Sequence, residues 1–407
     1  MFEVAGDAAA VCARRVMPRS ARPLKVLLAV ESSGGGTGRH VLDLAEEFIS
    51  RGVEVHLIYS PLRADRIFLE RVGAIEGLRA TALAMRTGPH PGDIGVVRRV
   101  RRYLREWGPF DLVHGHSSKG GAIARLAAVG TRAKAVYTLH GLIMMDPGLP
   151  RWKWLLYLTI ELTLSLFTRR IIAVSPEESR GAVRVGLGAR RVITIPNGIG
   201  AMRLTAREEA RRAMGVPQEA AVVGYVGRLV EQKAPDVLIR AFAAAAQEVG
   251  TLRLAMVGAG PLEEGMRKLA WELGVADRVM WLGERDAREV FAGFDMFALS
   301  SRKEGLPYVV LEALAVGLPV VATSSAGVEI LVRPGVNGAV TPPGDDAAFG
   351  RALVEIAGNR ERMQRYGAAS RQRAAQLTVD AMAERTLAAY LDCLGRRRAA
   401  ELAGESS

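Results

Sequence analysis

One stretch in the second half of the chain joins an apolar run to a helical pattern: Ser300-Ser301-Arg302-Lys303-Glu304-Gly305-Leu306-Pro307-Tyr308-Val309-Val310-Leu311-Glu312-Ala313. The run before it, Met296 to Leu299, predicts a buried strand. Gly305 then lets the backbone turn tightly and approach a ligand. Pro307 suits the first position of a helix, where its missing N–H costs nothing. The stretch therefore predicts a strand that turns sharply into a helix.

Two carboxylates flank this predicted turn. Glu304 would lie on the loop between strand and helix, and Glu312 in the second turn of the helix, so that both could face one cleft. An ionised carboxylate only accepts hydrogen bonds, which suits neutral polyols such as a hexose ring and a ribose diol. The alternative is that Glu304 begins a solvated turn and that Glu312 is a surface carboxylate.

Length and composition bound the class of protein. A chain of 407 residues is too long for one ordinary core, and its 49% hydrophobic and 24% charged residues are typical of globular proteins. Cys12 and Cys393 match no metal or redox spacing, which predicts unpaired thiols in a reducing compartment. No run reaches the ~20 apolar residues that span a bilayer. Residues 1–22 predict a disordered basic leader rather than a signal peptide, and residues 396–407 predict a frayed tail.

The positive charge is confined to one half of the chain. Residues 1–200 hold 29 Lys and Arg against 17 Asp and Glu, whereas residues 201–407 hold 26 of each. This asymmetry indicates an anionic partner for the first half, either a membrane surface or a phosphate-bearing acceptor. An arginine-rich composition with solvated faces is the alternative.

The first strand-to-helix junction is rich in glycine. An apolar run, Leu24 to Val30, precedes Gly34-Gly35-Gly36 and a helical pattern. Backbone N–H groups at a positive helix end can meet a phosphate in such a turn. The dinucleotide fingerprint nevertheless fails, because its third glycine would fall on Arg39 and no acidic residue follows the next strand. A nicotinamide dehydrogenase is thereby disfavoured.

Strand and helix patterns then alternate through both halves, with a domain boundary near residue 200. Such alternation predicts doubly wound parallel sheets, whose ligands bind beyond the carboxyl ends of the strands. Three histidines of the first half fall at predicted strand ends: His114, His116 and His140. A satisfied or solvated histidine is the alternative for each. Metal binding is disfavoured because no carboxylate or thiolate cluster joins them.

Two cations of the second half also follow a predicted strand, Ala221 to Val226. They are Arg228 and Lys233. A diphosphate needs neutralising charge as it becomes a leaving group, and these side chains could supply it. Solvation at the surface is the alternative.

Two predicted helices of the first half are candidates for a membrane surface. The first is basic and amphipathic, with arginines at 98, 99, 101, 102 and 105 beside an apolar stripe of Val97, Val100, Leu104 and Trp107. The second, Trp152 to Phe167, is aromatic and apolar, with Glu161 as the charged residue after Lys153. Both suit an interface. Packing against the sheet is the alternative for their apolar faces.

Several motifs occur in a fixed order in the second half: Gly227-Arg228-Leu229, Lys233, Val257-Gly258-Ala259-Gly260-Pro261, Glu304-Gly305-Leu306-Pro307 to Glu312-Ala313, and Gly317-Leu318-Pro319-Val320-Val321-Ala322. The first half adds its glycine-rich loop, Asp111-Leu112-Val113-His114-Gly115-His116, Tyr137-Thr138-Leu139-His140-Gly141, Ala173-Val174-Ser175 and Ile195-Pro196-Asn197-Gly198. Together these motifs resemble glycosyltransferase family 4 over roughly residues 24 to 395.

The resemblance implies an α/β protein with the GT-B fold, in which two Rossmann-like doubly wound parallel-sheet domains face a central cleft. It implies an acceptor-binding domain at 23–200 and a nucleotide-sugar-binding domain at 201–378. A last helix at 379–395 would cross back to the first domain. The family is retaining and uses front-face displacement, so it implies a nucleotide-sugar co-substrate with no tightly bound cofactor and no metal. The absence of an Asp-x-Asp pair agrees.

The resemblance also implies roles for residues that match the motifs. Arg228 and Lys233 would hold the donor diphosphate, and Glu312 the nucleotide ribose. Glu304 would bind hydroxyls of the transferred sugar. The remaining implied donor contacts are backbone groups near Gly305 and Leu306, the His140 side chain, and the glycines Gly35, Gly36 and Gly258. Two positions depart from the pattern, with Gly200 where many members have Asp and Ala234 where Gly commonly follows the lysine.

These observations predict an enzyme that transfers a hexose-type sugar from a UDP- or GDP-sugar to an acceptor hydroxyl. The basic first half and its aromatic helix favour a lipid-linked saccharide acceptor, an anionic membrane surface and a role in cell-surface polysaccharide synthesis. The protein would then be cytoplasmic and peripheral on the inner face of the cell membrane, with no nucleic acid as partner. A transferase with a soluble acceptor, a sugar-nucleotide epimerase on the same fold and an inactive binding protein are the alternatives. The last should lack one of the four charged site residues, and all four are present.

Overall fold

The computed structural model describes residues 22–146, 148–325 and 327–395. They form two compact units. One contains the chain up to Gly198 together with the chain from Val379 onward, and the other is Ile199–Thr378. The predicted leader, except for Arg22, and the predicted tail lie outside the described residues.

The first unit is built on a parallel sheet. Its described strands are β1 (Lys25–Val30), β2 (Glu54–Tyr59), β3 (Arg79–Ala82), β4 (Leu112–His116), β5 (Lys134–Thr138), β6 (Arg170–Ala173) and β7 (Val192–Thr194). They lie in the order β3-β2-β1-β4-β5-β6-β7, and every neighbouring pair is parallel. The central strands β1 and β4 are buried along almost their whole length because helices cover both faces of such a sheet.

The helices of this unit connect the strands in turn. They are α1 (Gly35–Ser50), α2 (Arg66–Ala74), α3 (Asp93–Glu106), α4 (Ser117–Ala128), α5 (Arg151–Ser165) and α6 (Pro176–Arg184). Short 3-10 turns lie at Pro61–Arg63 and Ile143–Met145.

The second unit repeats the design. Its described strands are β8 (Ala221–Val226), β9 (Leu252–Val257), β10 (Val279–Gly283), β11 (Met296–Leu299), β12 (Val320–Thr323) and β13 (Gly338–Thr341). They form a parallel sheet in the order β10-β9-β8-β11-β12-β13. The helices are α7 (Arg207–Met214), α8 (Pro235–Glu248), α9 (Glu263–Glu272), α10 (Tyr308–Val316), α11 (Val328–Leu331), α12 (Asp346–Ala357) and α13 (Arg360–Ala374).

The last described helix, α14 (Val379–Leu394), belongs to the first unit. It packs against α1, where the rings of Phe48 and Tyr390 lie 5.5 Å apart, and both side chains are fully buried. Burying two aromatic side chains contributes several kcal/mol. Cys393 on the same helix is a buried free thiol, and burial raises its pKa to about 11.

Each sheet has one point where the strand order reverses. In the first it lies between β1 and β4, and in the second between β8 and β11. The strands leave this point toward opposite edges, so the loops that follow them diverge and leave a crevice at their carboxyl ends. The fold thereby predicts where each unit can hold a ligand.

The structure places the strands within two residues of the sequence expectation and differs at three side chains. Pro307 precedes α10 as its N-cap residue instead of occupying the first helical position. Trp107, predicted in the apolar stripe of this helix, follows the last residue of α3 and is 43% exposed, whereas Val96 is buried on α3. Glu161 faces the core, where it forms a buried ion pair with Arg125 (2.8 Å). Among the described helices, none combines the length and the apolar character needed to cross a membrane.

Candidate active site

The loop after β8 carries the two predicted cations. Tyr225, buried near the end of the strand, donates from its hydroxyl to the Arg228 carbonyl at 3.0 Å. Lys233 closes a short 3-10 turn, and Ala234 then adopts a left-handed conformation with φ 45° as the chain enters α8. Arg228 is exposed and Lys233 is half-buried. The loop therefore fixes both cations at the carboxyl end of β8.

The loop after β11 lies against the loop after β8. The Ser300 hydroxyl donates to the carbonyls of Lys233 and Ala234 at 3.0 and 2.9 Å. Arg302 donates its backbone N–H to the Gln232 carbonyl at 2.8 Å. Because β8 and β11 are neighbours, these bonds close one edge of the crevice at the point where the strand order reverses.

Lys233 and Glu304 meet in this crevice. The ammonium nitrogen lies 2.6 Å from the carboxylate Oε1, and the two side chains are only 16% and 10% exposed. A short ion pair of this kind is a charge-assisted hydrogen bond, and partial burial shields it from salt. It positions the lysine for an anion while leaving the second carboxylate oxygen available to accept a hydroxyl.

The pKa of Tyr225 indicates that Arg228 lies near Lys233 and Glu304. Burial raises the pKa of the tyrosine well above its ordinary value, the negative charge of Glu304 raises it further, and the positive charge of Arg228 lowers it. Both charges therefore lie near one phenol. The structure brings Lys233 and Glu304 into contact, with Arg228 near the same phenol; their roles in binding a donor stay a prediction.

Two glycines allow the surrounding loops to approach closely. Gly258 has φ +123°, and a Cβ there would stand 2.1 Å from the Gly227 carbonyl oxygen. Gly327 has φ +80°, and its Cβ would meet the Gly305 carbonyl oxygen at 2.1 Å and the Leu306 Cα at 2.8 Å. Only glycine tolerates both the backbone angle and the contact. The predicted Gly258 and Gly305-Leu306 segments are thus packed backbone to backbone with neighbouring loops.

Glu312 lies in the second turn of α10 and is 8% exposed. The pKa of Arg288 is raised first by its hydrogen bond to Asp286 and further by charges that include Glu312. The two carboxylates of the opening stretch therefore differ in surroundings. Glu304 pairs with a lysine, whereas Glu312 lies in the field of an arginine.

Three hydroxyls at this edge were missed by the sequence analysis. Ser301, Ser325 and Thr341 follow or end β11, β12 and β13, and their buried oxygens have no hydrogen-bond partner within the described part of the chain. A buried polar group without a partner is costly unless a ligand or water satisfies it. A Ser or Thr at or within two residues of the end of an apolar strand was the sequence pattern that could have predicted them.

The first unit gathers histidines at its own strand reversal. The Nδ1 of His116, at the end of β4, lies 3.2 Å from the Nε2 of His140, which follows β5. The ring of His40 from α1 meets His140 edge to face, with centroids 4.5 Å apart. His40 itself was not predicted, because its position inside a helical pattern carried no signal.

These imidazoles are neutral at pH 7. Burial lowers the pKa of His40 to about 4, although its hydrogen bond to Asn197 raises the pKa in part. Burial also lowers the pKa of His116 and His140 well below the ordinary value, and the neighbouring histidines lower it further. The predicted His114 has a different role, since it is fully buried between the Tyr390 hydroxyl (2.6 Å) and Thr138 (2.7 Å).

A buried glutamate holds the segment that carries His140. The carboxylate of Glu178 accepts from the backbone N–H of Gly141 at 2.5 Å and of Val174 at 2.8 Å. His140 has φ 55°, an uncommon left-handed conformation for a residue with a side chain. Burial raises the pKa of Glu178 to about 7, although its backbone hydrogen bonds act in the opposite direction. Glu178 was not predicted from the sequence.

The glycine-rich loop ends at the start of α1. Gly35 has φ +63° and Gly36 is exposed in the first turn. The Gly35 N–H donates to the Asp65 carboxylate at 2.8 Å, and the same carboxylate caps α2 by accepting from Phe68 N. A carboxylate thus already lies at the helix N-terminus where a phosphate was expected.

The histidines also form the one group of possible metal ligands among the described residues. Three ring nitrogens lie within 4.8 Å of one another, one from each of His40, His116 and His140. Three neutral imidazoles could hold a transition-metal ion. The sequence prediction that no metal is needed stays a prediction.

Comparison with known proteins agrees with this geometry. The family model described as Glycosyl transferases group 1 matches residues 206–373, and the model described as Glycosyltransferase Family 4 matches residues 34–202. The D-inositol 3-phosphate glycosyltransferase of Stackebrandtia nassauensis is 31% identical over 402 residues, covering 89% of this chain and 88% of that protein. The chain belongs to glycosyltransferase family 4.

Other relatives of this glycosyltransferase agree. The EpsD protein of Bacillus subtilis (strain 168) is 30% identical over 318 residues, covering 74% of this chain and 82% of its own. The crystal structure of Anabaena Alr3699/HepE in complex with UDP and glucose has a TM-score of 0.77 at 23% identity, covering 89% of this chain and 98% of that one. The glycosyltransferase therefore has the predicted GT-B type of fold, with two parallel-sheet α/β domains.

Proposed function

We propose that this glycosyltransferase transfers a hexose-type sugar from a UDP- or GDP-sugar to an acceptor hydroxyl, with retention at the anomeric carbon. One observation carries the proposal: the pair of Lys233 and Glu304 beside Arg228 at the strand reversal of the second sheet. Cations and a sugar-binding carboxylate at one point are what a nucleoside diphosphate sugar requires. The complex of Anabaena Alr3699/HepE with UDP and glucose supports a nucleotide-sugar donor.

The donor contacts divide by charge. Arg228 and Lys233 bind the diphosphate and neutralise the charge that develops on it as it leaves. Glu304 accepts hydrogen bonds from hydroxyls of the transferred sugar, and Glu312 accepts from the ribose. Backbone groups of Gly258, Gly305 and Leu306 line the donor, where close approach is possible without side-chain interference.

The first unit contributes uncharged groups. The neutral imidazole of His140 hydrogen-bonds a hydroxyl of the transferred sugar, since a neutral ring can both donate and accept. Gly35 and Gly36 approach the phosphates through their backbone. Asp65 must release the Gly35 N–H for that contact to form.

The reaction needs no enzymic nucleophile. The acceptor oxygen bonds to the anomeric carbon on the face from which the diphosphate departs, and the acceptor proton passes to the leaving phosphate oxygen. The cations stabilise this leaving group, so neither a metal nor a tightly bound cofactor is needed. Retention is tested by determining the anomeric configuration of the product by NMR, and an inverted product contradicts the mechanism.

A donor-binding experiment tests the site. We expect thermal unfolding of the purified protein with a panel of UDP- and GDP-sugars to show a stabilising shift for the true donor, because a ligand that binds the folded state raises its stability. Lys233→Ala should abolish the shift. Lys268→Ala is the matched control, since Lys268 lies in the same unit with its side chain 75% exposed. Equal shifts for both variants would place the donor elsewhere.

The acceptor is proposed to be a lipid-linked saccharide of cell-surface polysaccharide synthesis, reached at the inner membrane face. Support comes from α5 and the residues after it, where Trp152, Leu155, Leu166 and Phe167 are 65%, 58%, 70% and 48% exposed. Large exposed apolar side chains with an interfacial tryptophan are typical of a surface that meets lipid. The Glu161 side chain turns inward to Arg125, so α5 exposes no acidic side chain, and the Lys153 ammonium lies over the exposed Trp152 ring.

Vesicle sedimentation at low salt tests the membrane contact. We expect binding to vesicles that contain phosphatidylglycerol and a marked loss in Trp152→Ser/Leu155→Ser. Trp271→Ser is the control, because Trp271 is 73% exposed but lies on the second unit. Failure of the unaltered protein to bind would favour a soluble acceptor. Conversion of the donor without any acceptor would instead indicate an epimerase.

A further inference from the structure

A concave, arginine-lined surface lies on the first unit away from the candidate active site. Helix α3 presents Arg98, Arg101, Arg102 and Arg105 at spacings of three and four residues, which place them on one face. Together with Arg132, from the loop before β5, they line a cavity of about 680 Å³. The rest of its described lining is Leu104, Pro109, Phe110, Val129, Gly130, Thr131 and Ala133.

The described part of the chain does not neutralise the positive charge of this cavity. None of the described residues that line it is acidic. In the described part of the chain, the side chains of Arg98, Arg102, Arg105 and Arg132 take part in no hydrogen bond or ion pair, and Arg101 donates to the Val129 carbonyl. Like charges four residues apart on a helix repel, so Arg98 with Arg102 and Arg101 with Arg105 destabilise α3.

Ordinary explanations cover only part of this arrangement. The helix dipole favours a cation in the last turn, which accounts for Arg105. Solvation suits arginines on a convex surface, but here a fifth arginine from another element closes the concavity. Elsewhere in the unit, exposed arginines meet carboxylates, as Arg66 meets Glu70 at 3.3 Å and Arg63 meets Glu31 at 3.4 Å.

The cavity lies at the amino ends of the strands. Pro109 and Phe110 precede β4, and residues 129–133 precede β5, whereas His116 and His140 follow those same strands. The cavity is therefore at the opposite edge of the sheet from the histidines, so it is not part of the proposed donor contacts.

We propose that this cavity binds a ligand that carries two or more phosphate groups. The planar guanidinium presents paired N–H donors that match phosphate oxygens, and several arginines in one concavity suit several phosphates. Pro109 and Val129, which are less buried than Leu104 and Phe110, offer apolar surface for the part of the ligand that bears the phosphates. A soluble polyphosphate and the phosphates of a lipid headgroup share this chemistry.

Titration calorimetry with inorganic tripolyphosphate tests the soluble source. We expect binding that weakens on the order of tenfold or more in Arg98→Gln/Arg102→Gln, because two charge-assisted contacts are lost. The charge-matched control is Arg99→Gln/Arg184→Gln, since both of these arginines are exposed and neither lines the cavity. The control should keep the affinity of the unaltered protein. Arg228→Ala/Lys233→Ala, which removes the proposed donor contacts, should keep the cavity binding as well.

The lipid source is tested with vesicles that carry phosphatidylinositol bisphosphate, using the same variants. Dependence on Arg98 and Arg102 in either experiment supports the cavity, and the experiment that shows it identifies the source. If the cavity variant and its charge-matched control behave alike with both probes, the inference is overturned. The inference is also overturned if tripolyphosphate binding is lost in Arg228→Ala/Lys233→Ala but kept in Arg98→Gln/Arg102→Gln. That result would support the proposed donor site. Circular dichroism of each variant checks that the fold is kept.

Discussion

The two sheets of this glycosyltransferase share the order of six strands, with β7 added to the first, but they differ in the chemistry at the carboxyl ends of their strands. The second sheet presents charged groups, with Lys233 and Glu304 in a short ion pair near Arg228. The first presents buried imidazoles that are neutral at pH 7, represented by His40 and His140. The topology therefore fixes where each unit can hold a ligand. The side chains at that place determine which chemical groups of a ligand it can bind.

The largest expected effect concerns the charged edge, by which we mean the carboxyl ends of the second sheet's strands with Arg228, Lys233 and Glu304. Lys233→Ala should lower kcat/KM for the donor by roughly 10²–10³-fold, because a cation that stabilises the leaving group acts in the transition state. Glu304→Ala should have a comparable effect through lost sugar contacts. Steady-state kinetics with Lys268→Ala as control provide the measurement. Near-full activity in either site variant would show that the assignment of this edge is wrong.

The neutral edge, by which we mean the carboxyl ends of the first sheet's strands with their buried histidines, should make the stability of the protein sensitive to acid. Because the pKa of His40 is lowered from 6.5 to about 4 in the folded state, its contribution to stability is present above pH 6.5 and is lost as the pH falls toward 4. The free energy of unfolding should therefore drop by about 2–3 kcal/mol between pH 7.5 and 4.5 through this group. Urea titrations should show a smaller drop in His40→Gln. His90→Gln, at an exposed histidine, should behave like the unaltered protein.

Glu178 should act in the opposite direction on the same edge. Its folded pKa is raised from 4.5 to about 7, so its contribution is present below pH 4.5 and is lost as the pH rises through 7. Between pH 5 and 8 this amounts to about 2 kcal/mol. Glu178→Gln should flatten that part of the stability profile, whereas Glu177→Gln, one residue away, should not. An unchanged profile in Glu178→Gln would mean that the carboxyl titrates normally.

A smaller effect is expected from the backbone of the charged edge. Ala234 has φ 45°, a conformation that costs a residue with a Cβ about 1–2 kcal/mol. Ala234→Gly should relieve this strain but also gives the unfolded chain more freedom, leaving a gain of about 0.5–1 kcal/mol in the free energy of unfolding. Chemical denaturation measures it. A loss of stability would show that the alanine methyl, which is fully buried, matters more for packing.

No effect at all is expected from chelation. If Arg228 and Lys233 supply the charge that a metal would otherwise provide, as we propose, activity after treatment with EDTA and dialysis should equal the starting value. Activity that falls and returns on adding Zn²⁺ or Mn²⁺ would instead assign an ion to His40, His116 and His140.

Sequence patterns predicted those features that depend on neighbours along the chain. Apolar runs located the strands, and the loops that follow β8 and β11 carry Arg228, Lys233 and Glu304. Contacts between distant segments could not be predicted in this way. Lys233 and Glu304 are 71 residues apart, and their pairing depends on β8 and β11 being neighbours in the sheet.

The same limit explains what was missed in the first unit. Glu178 lies in the first turn of α6, where acidic residues are common, and only the folded chain brings it to the Gly141 N–H. Asp65 similarly looks like a helix cap, which it is, but its second oxygen takes the Gly35 N–H. A local pattern explains one contact of each carboxylate and gives no sign of the other.

The position of α14 has a consequence for how the chain is made and how it could be divided. Because the first unit takes its last helix from the end of the chain, its core around Phe48 stays open during synthesis until Tyr390 has emerged. The second unit is complete before that, and its two ends are joined by a bridge between Ile199 and Thr378. The second unit is thus an insertion with adjacent ends, which could be expressed alone or replaced by a short linker.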